Sequence, residues 1–474
     1  AFLDIYFERD LQAGTLTETD AQELIDHLMI KLQMIRHLRP GIEGVYAGNP
    51  SWTTLTLGGC RRDGSGHFVT KTAFRIIHSL RHLGHTAEPT LAVLWSENTP
   101  SPFKQFCCEA SLNFRNLQYL NDDIMNRNQQ LMDDLVVSGG PTAMACGKQM
   151  VLFGGHINLP KLLLFVLNMG KDEKTEEQVG PMFAMIGHGQ LVLDDILKRL
   201  EMGFEWVARL YVNYVSLTHA MHDKYSYESL PMAFHDTEII RFLSLGISGL
   251  AVLADSLSAI KHANVIPIRD PNTGLTTSFE IIGTFPRYGN GDDFADGFAV
   301  WIVEKLVEKI TKTPAYREAE HTLAVHSHGG HLLAGLATGA TPDGRKDGEP
   351  FPPGACPVHG VNVSGLPAML TSVAKIPFEA AVGGVLNNVT LSPEQLEQGE
   401  DGTRSGSLGM MVDEAFSMGA QHLSLNVIHK DELLHALDQP EEHPKLYVCE
   451  SGYNLRWDTL SKAQQNELLS RINH

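Results

Sequence analysis

Six cysteines and one histidine-rich string are the side chains of this sequence best suited to covalent or metal chemistry. The cysteines are Cys60, Cys107, Cys108, Cys146, Cys356 and Cys449, with no C-x-x-C and no paired spacing. That pattern fits a reduced thiol inventory rather than a disulfide framework. Cys107-Cys108 is an adjacent pair, and buried free cysteines pack as small hydrophobes. In His326-Ser327-His328-Gly329-Gly330-His331, a strand would put His326 and His328 on one face, with His331 reaching in across the glycines. No carboxylate or thiol nearby completes such a metal site, so ordinary packing is the simpler expectation. Ser451-Gly452-Tyr453, taken alone, is a turn sequence in which glycine permits φ > 0. No G-x-S-x-G elbow, Walker loop or G-x-G-x-x-G after a strand is present.

The elements that must position these residues alternate in type. Thr17 and Asp20 read as a helix start, followed by Leu24, Ile25, Leu28, Met29, Leu32 and Ile35 at helical spacing, with Pro40-Gly41 as the stop. Further helices are expected over 72–84, 186–222, 236–262 and 296–312, and Asp431 is expected to cap one that ends at Leu437. Thr90–Trp95, Val265–Ile268, Thr322–His326 and Leu423–Ile428 read as strands. Residues 41–66 read as Gly-rich and turn-like, 132–160 are glycine-rich around Gly139-Gly140-Pro141 and Gly154-Gly155, and a Gly/Pro-rich loop covers about 337–360. Alternation of this kind predicts α/β architecture, in one large domain without repeats or linkers.

Composition narrows the function. The chain of 474 residues is 43% hydrophobic and 20% charged, as in a soluble globular protein. Its formal charge of -19 and pI near 5.6 argue against nucleic acid or an anionic membrane surface as the partner, because both require clustered cations. No run reaches the length of a membrane-spanning helix, and a cytoplasmic location is the expectation. The opening Ala1-Phe2-Leu3-Asp4-Ile5-Tyr6, apolar and without Met, reads as the middle of a domain.

Long, unusual strings recur along the chain. They include Leu117-Gln118-Tyr119-Leu120-Asn121-Asp122-Asp123, Gly147-Lys148-Gln149-Met150, Met221-His222-Asp223-Lys224-Tyr225-Ser226-Tyr227-Glu228 and Ala254-Asp255-Ser256-Leu257-Ser258-Ala259-Ile260-Lys261. Later come Thr341-Pro342-Asp343-Gly344-Arg345, Thr371-Ser372-Val373-Ala374-Lys375, Gly419-Ala420-Gln421-His422-Leu423 and the segment from Pro444 to Trp457 around Ser451-Gly452-Tyr453. Together they resemble the pyruvate formate-lyase (formate C-acetyltransferase) family of glycyl radical enzymes, over 1–474 with a glycine radical subregion at 343–474. The resemblance implies part of a ten-stranded α/β barrel of two half-barrels, with much of the first half-barrel in a portion preceding Ala1. It implies a stable backbone radical on Gly452, installed by a radical S-adenosylmethionine activating enzyme. Glycine suits that task because an α-carbon without Cβ can flatten and share the unpaired electron with its flanking amides. It also implies cleavage of pyruvate, or another small 2-oxo acid, with coenzyme A as co-substrate, in a homodimer. The barrel would exclude water and oxygen from the radicals.

This sequence departs from the family pattern at the chemistry itself. Counted back from Gly147-Lys148-Gln149-Met150, the two family cysteines fall on Gly139 and Gly140, which carry no nucleophile. Cys146 lies six residues beyond Gly140, up to about 20 Å if extended. The arginine expected to grip the substrate carboxylate is His156, and a neutral imidazole offers no bidentate charged fork. Of the aromatic substrate-binding positions, Trp52 and Phe153 match and Tyr46 replaces a phenylalanine. Cys449-Glu450 stands where the family has Arg-Val, placing a reversed charge and a hydrogen-donating thiol beside Gly452. Three readings follow: a glycyl radical acyltransferase, a degenerate homologue that binds the activating enzyme or an intact subunit, and a spare radical domain whose partner supplies the thiols.

Overall fold

The computed structural model describes residues 2–35, 53–61, 65–125, 127, 134–138, 140–226, 228, 235–327, 329–396 and 403–471. The α/β expectation holds. Where the sequence suggests one large domain, contacts divide the chain into two compact units, one of them built from both ends of the sequence.

The first unit comprises Ala1–Ala143 and Asn388–Asn473. Its five-stranded sheet runs in the order Thr54–Gly58, Thr90–Trp95, Leu117–Asn121, His422–Val427, Asn388–Leu391. Neighbours are parallel except at the centre, where His422–Val427 lies antiparallel to Leu117–Asn121 with Leu423 opposite Tyr119. Thr90–Trp95, Leu117–Asn121 and His422–Val427 are buried at every residue. Thr90–Trp95 is accordingly almost wholly apolar, as a strand covered on both faces can be, whereas the other two bury polar residues, among them Gln118, His422 and Asn426. Helix Glu18–Gln33 starts as the sequence indicates: Thr17 and Asp20 form a reciprocal capping box. Helix Ser101–Asn113 buries Cys107 and Cys108, whose thiols burial pushes well up, in Cys108 to about 12. They are packing groups.

The second unit, Met144–Asn387, is continuous in sequence. Its four strands, Gly384–Val385, Glu320–Val325, Ile240–Ser248 and Gln149–Asn158, pair in that order and all parallel. Parallel neighbours need crossovers, and helices follow the longer strands directly: Leu159–Leu167, Leu250–His262 and, after a short turn, His331–Leu336. The 32-residue helix Leu193–Lys224 covers one side of the core with Leu200, Phe204, Ala208 and Val212.

Several assignments differ from expectation: the helix expected from 186 begins at Leu193, and the turn-like stretch 41–66 holds the strand Thr54–Gly58. Residues 236–262 are not one helix: Ile240–Ser248 is a strand, and Gly249 at φ +77° separates it from helix Leu250–His262. Both pieces are buried along most of their length, with polar residues such as Ser244 and Asp255 buried too, so neither shows a clear helical or strand period. The late helix is Lys430–Asp438 with His429 as its N-cap, and Asp431 sits inside the first turn. The remaining expected strands are found at Asn264–Arg269, Glu320–Val325 and His422–Val427. Pro40-Gly41, Tyr46 and Trp52 lie outside the described residues.

Candidate active site

Strands Tyr447–Glu450 and Tyr453–Arg456 form an antiparallel hairpin whose last pair is Glu450 opposite Tyr453. Ser451 and Gly452 are therefore a two-residue turn, with φ of +52° and +84°. Such tight turns need positive φ at both positions, readily met by glycine and uncommon for serine. Ser451 Oγ donates to Glu450 Oε1 at 2.8 Å. Both turn residues are buried. A Cβ on Gly452 would lie 2.6 Å from the Gly140 α-carbon and 3.4 Å from Gln118 Oε1. Glycine is thus required at 452 twice, by backbone conformation and by close approach of another backbone.

That approach joins the two glycine-bearing loops singled out in the sequence. Gly140 is buried at φ +104°. Its loop is held by Gln421, whose Nε2 donates to the Pro141 carbonyl at 2.9 Å. Gln118 is oriented by His422, with Nε2 3.0 Å from Gln118 Oε1. The central antiparallel strand pair therefore supports both loops from below. Gly139 is outside the described residues.

Cys449 lies under the turn. Its N–H donates to Asn426 Oδ1 at 2.7 Å, and Asn426 Nδ2 donates to its carbonyl at 2.9 Å. Its sulfur is 3.2 Å from Ser424 Oγ. Burial pushes the thiol up to about 11, against hydrogen bonds from Ser424 and the Gly452 N–H, which favour the thiolate. Cys449 is therefore a protonated, enclosed S–H beside Gly452 at neutral pH.

The reversed charge beside Gly452 is turned inward. Glu450 is buried, and its Oε2 is 2.7 Å from Arg471 Nη1. Arg471 follows helix Lys462–Ser470 and also binds Glu467, with Nε 2.8 Å from Oε1. Burial alone would lower the Arg471 pKa, but the two carboxylates outweigh it and raise it. Arg471, Glu467 and Asn426 were missed in the sequence because their roles depend on tertiary contacts.

In the second unit, strand Gln149–Asn158 carries a bulge between Phe153 and His156. Gly154 packs against Val215, where a Cβ would lie 2.4 Å from Val215 Cγ2, and Gly155 sits at φ +124°. Tyr211 donates its hydroxyl hydrogen to the Gly155 carbonyl. The bulge re-aims the strand. Phe153 stacks on His326 with centroids 5.0 Å apart and planes 12° apart. His156 reaches Gly330 so closely that a Cβ there would lie 2.3 Å from His156 Cε1. Burial lowers His156 to about 4, helped by His331; burial likewise lowers His326 to about 4, with a further push from His156. His156 is thus a neutral imidazole. The histidine string contributes His326 and His331 as its neighbours, a juxtaposition the sequence spacing does not reveal.

Cys146 is exposed, on the turn before strand Gln149–Asn158. His328 is outside the described residues. Among the described residues no three His, Cys, Asp or Glu side chains are grouped to hold a metal, and no helix is long and apolar enough to cross a membrane.

Comparisons with known proteins bear on this arrangement. Residues 1–335 match the family described as pyruvate formate lyase-like, and residues 351–457 match the one described as glycine radical. The chain is 43% identical to the formate acetyltransferase of Haemophilus influenzae, over 99% of this chain and 63% of that protein. It thus spans under two thirds of that relative's length. Two solved structures share its fold. Hydroxyproline dehydratase from Clostridioides difficile aligns with a TM-score of 0.86 at 22% identity, over 99% of this chain and 63% of that one. A glycyl radical enzyme from Archaeoglobus fulgidus aligns with a TM-score of 0.84 at 20% identity, over 99% and 64%.

Proposed function

The chain belongs to the pyruvate formate lyase-like family, and from that premise we propose that it is a glycyl radical acyltransferase of the formate C-acetyltransferase type. The reaction is the cleavage of pyruvate with coenzyme A to acetyl-CoA and formate. Gly452 stores the radical, and a radical S-adenosylmethionine activating enzyme removes its α-hydrogen. The single observation that supports this best is the seat of Gly452: a buried turn glycine at φ +84°, its α-carbon against the backbone of Gly140. An α-carbon held there is shielded from solvent, and no side chain hinders its flattening.

In the family chemistry the radical passes to a thiol, the thiyl attacks the pyruvate carbonyl, and the acetyl group moves through a cysteine to coenzyme A. By the family resemblance, Phe153 and His156 are proposed substrate-binding residues, as are Tyr46 and Trp52. A neutral His156 can donate or accept a hydrogen bond but cannot neutralise a carboxylate as an arginine would. We place the enzyme in the cytoplasm, as a homodimer.

A second reading is favoured by one specific feature, glycine at both Gly139 and Gly140 where the family has cysteines. It makes the chain a degenerate homologue or spare radical domain whose partner supplies the thiols. One assay separates the two. The chain is activated anaerobically with an activating enzyme and S-adenosylmethionine, then given labelled pyruvate and coenzyme A. Labelled formate that vanishes in Gly452→Ala supports the acyltransferase. A radical without formate, followed by formate once a thiol-bearing subunit is added, supports the second reading.

A further inference from the structure

Gly452 is enclosed, so an external protein can reach its α-hydrogen only when the hairpin leaves Gly140. An ion pair sits at the hairpin's tip, in addition to the Cys449–Asn426 bonds of the strand. Glu450 immediately precedes the turn, and its side chain is 7% exposed, as is that of Arg471. Arg471 Nη1 meets Glu450 Oε2 at 2.7 Å, while its other edge is gripped by Glu467, one turn back at the end of helix Lys462–Ser470. Ser451 Oγ adds a bond to the other oxygen of Glu450. A buried charge cannot be left alone without heavy cost, so the pair opens as a unit or not at all.

We propose that Arg471 is the positioning residue of the radical hairpin: pinned by Glu467, it holds Glu450 and thereby keeps Gly452 seated against Gly140. The inference rests on the assignment of Gly452 as the radical store. It adds a specific consequence: the Glu450–Arg471 pair is the latch that an activating enzyme must open, and its strength sets how fast the radical is installed. The charge introduced at Glu450 is thus matched within the chain rather than presented to a partner.

A double-mutant cycle on the full chain tests this, with Glu450→Gln, Arg471→Gln and the double variant, all close to the native shapes. Amide hydrogen exchange is read at Val448–Arg456, with Leu91–Trp95 as the control for folding. Each single variant should speed hairpin exchange at least tenfold and leave the control strand unchanged. The double variant should be no faster than either single one, because the pair acts as one interaction. Arg471→Lys should restore part of the protection, and guards against a variant that fails to fold. Under activation, Arg471→Gln should develop the glycine radical signal at least threefold faster than the unaltered chain. Unchanged exchange, additive effects, or an unchanged or slower rate of radical formation would overturn the latch. If the unaltered chain gives no radical signal while the exchange cycle behaves as expected, the radical assignment fails and the positioning role stands. A signal with no exchange effect has the opposite meaning.

Discussion

At Gly452 and Gly140 two backbones meet at a distance that only residues without a side chain allow. A Cβ at 452 would sit 2.6 Å from the Gly140 α-carbon, so two glycines meet where the sequence pattern places a radical store and a thiol pair. The tripeptide Ser451-Gly452-Tyr453 was readable as a turn, and the surrounding strings marked it as a special one. The contact with Gly140 was not readable, because it joins residues more than three hundred positions apart. Cys449 was read correctly as a neighbour of Gly452, but its enclosure depends on Ser424 and Asn426 of the strand beneath. That enclosure makes a prediction. A thiol held near 11 is mostly protonated at pH 8, with a thiolate fraction about a hundredfold below that of a thiol at 9. Iodoacetamide at pH 8 should therefore label exposed Cys146 of the folded protein and reach Cys449 only after denaturation. Labelling of both at one rate would show that the seat beside Gly452 is open.

At the scale of elements, Thr90–Trp95 and His422–Val427 were legible although buried at every residue, and Ile240–Ser248 was not. Thr90–Trp95 was bounded by turn residues and read correctly, whereas Ile240–Ser248 ran into the apolar helix Leu250–His262 and the two were taken as one. The bulge at Phe153–His156 was invisible, since Gly154-Gly155 marks a bulge and a loop equally well. Its consequence is a cluster of neutral histidines, and the sign of their pH effect follows. His156 and His326 titrate near 4 in the fold against an ordinary value of 6.5. As pH falls below 6.5 the unfolded chain takes up protons first, so their contribution is complete above 6.5 and lost toward 4. The slope is about 1.4 kcal/mol per pH unit for each histidine while it lasts. In chemical denaturation, His156→Gln should lose less stability between pH 6.5 and 4.5 than the unaltered protein, by about 2 kcal/mol. Equal losses would mean that His156 is as easily protonated folded as unfolded.

At the scale of the whole molecule, the α/β class was legible from the alternation of elements, and the division into two units was not. One boundary, Ala143–Met144, falls inside strand Thr142–Ala145, and the other, Asn387–Asn388, falls at the start of strand Asn388–Leu391, so neither reads as a linker. The first unit also needs both ends of the chain, since His422–Val427 pairs with Leu117–Asn121. A fragment of residues 144–387 should therefore fold cooperatively alone. A fragment of residues 1–387 should lose the cooperative unfolding of the first unit, because its sheet would end at the unpaired edge of Leu117–Asn121. Cooperative unfolding of both units in the longer fragment would contradict this division. The central claim is that this fold seats a radical on one glycine. Its most direct test is anaerobic electron paramagnetic resonance of the full chain after treatment with an activating enzyme and S-adenosylmethionine. The unaltered protein should give a doublet and Gly452→Ala none. A doublet that survives that substitution, or a folded chain that gives none, would contradict it.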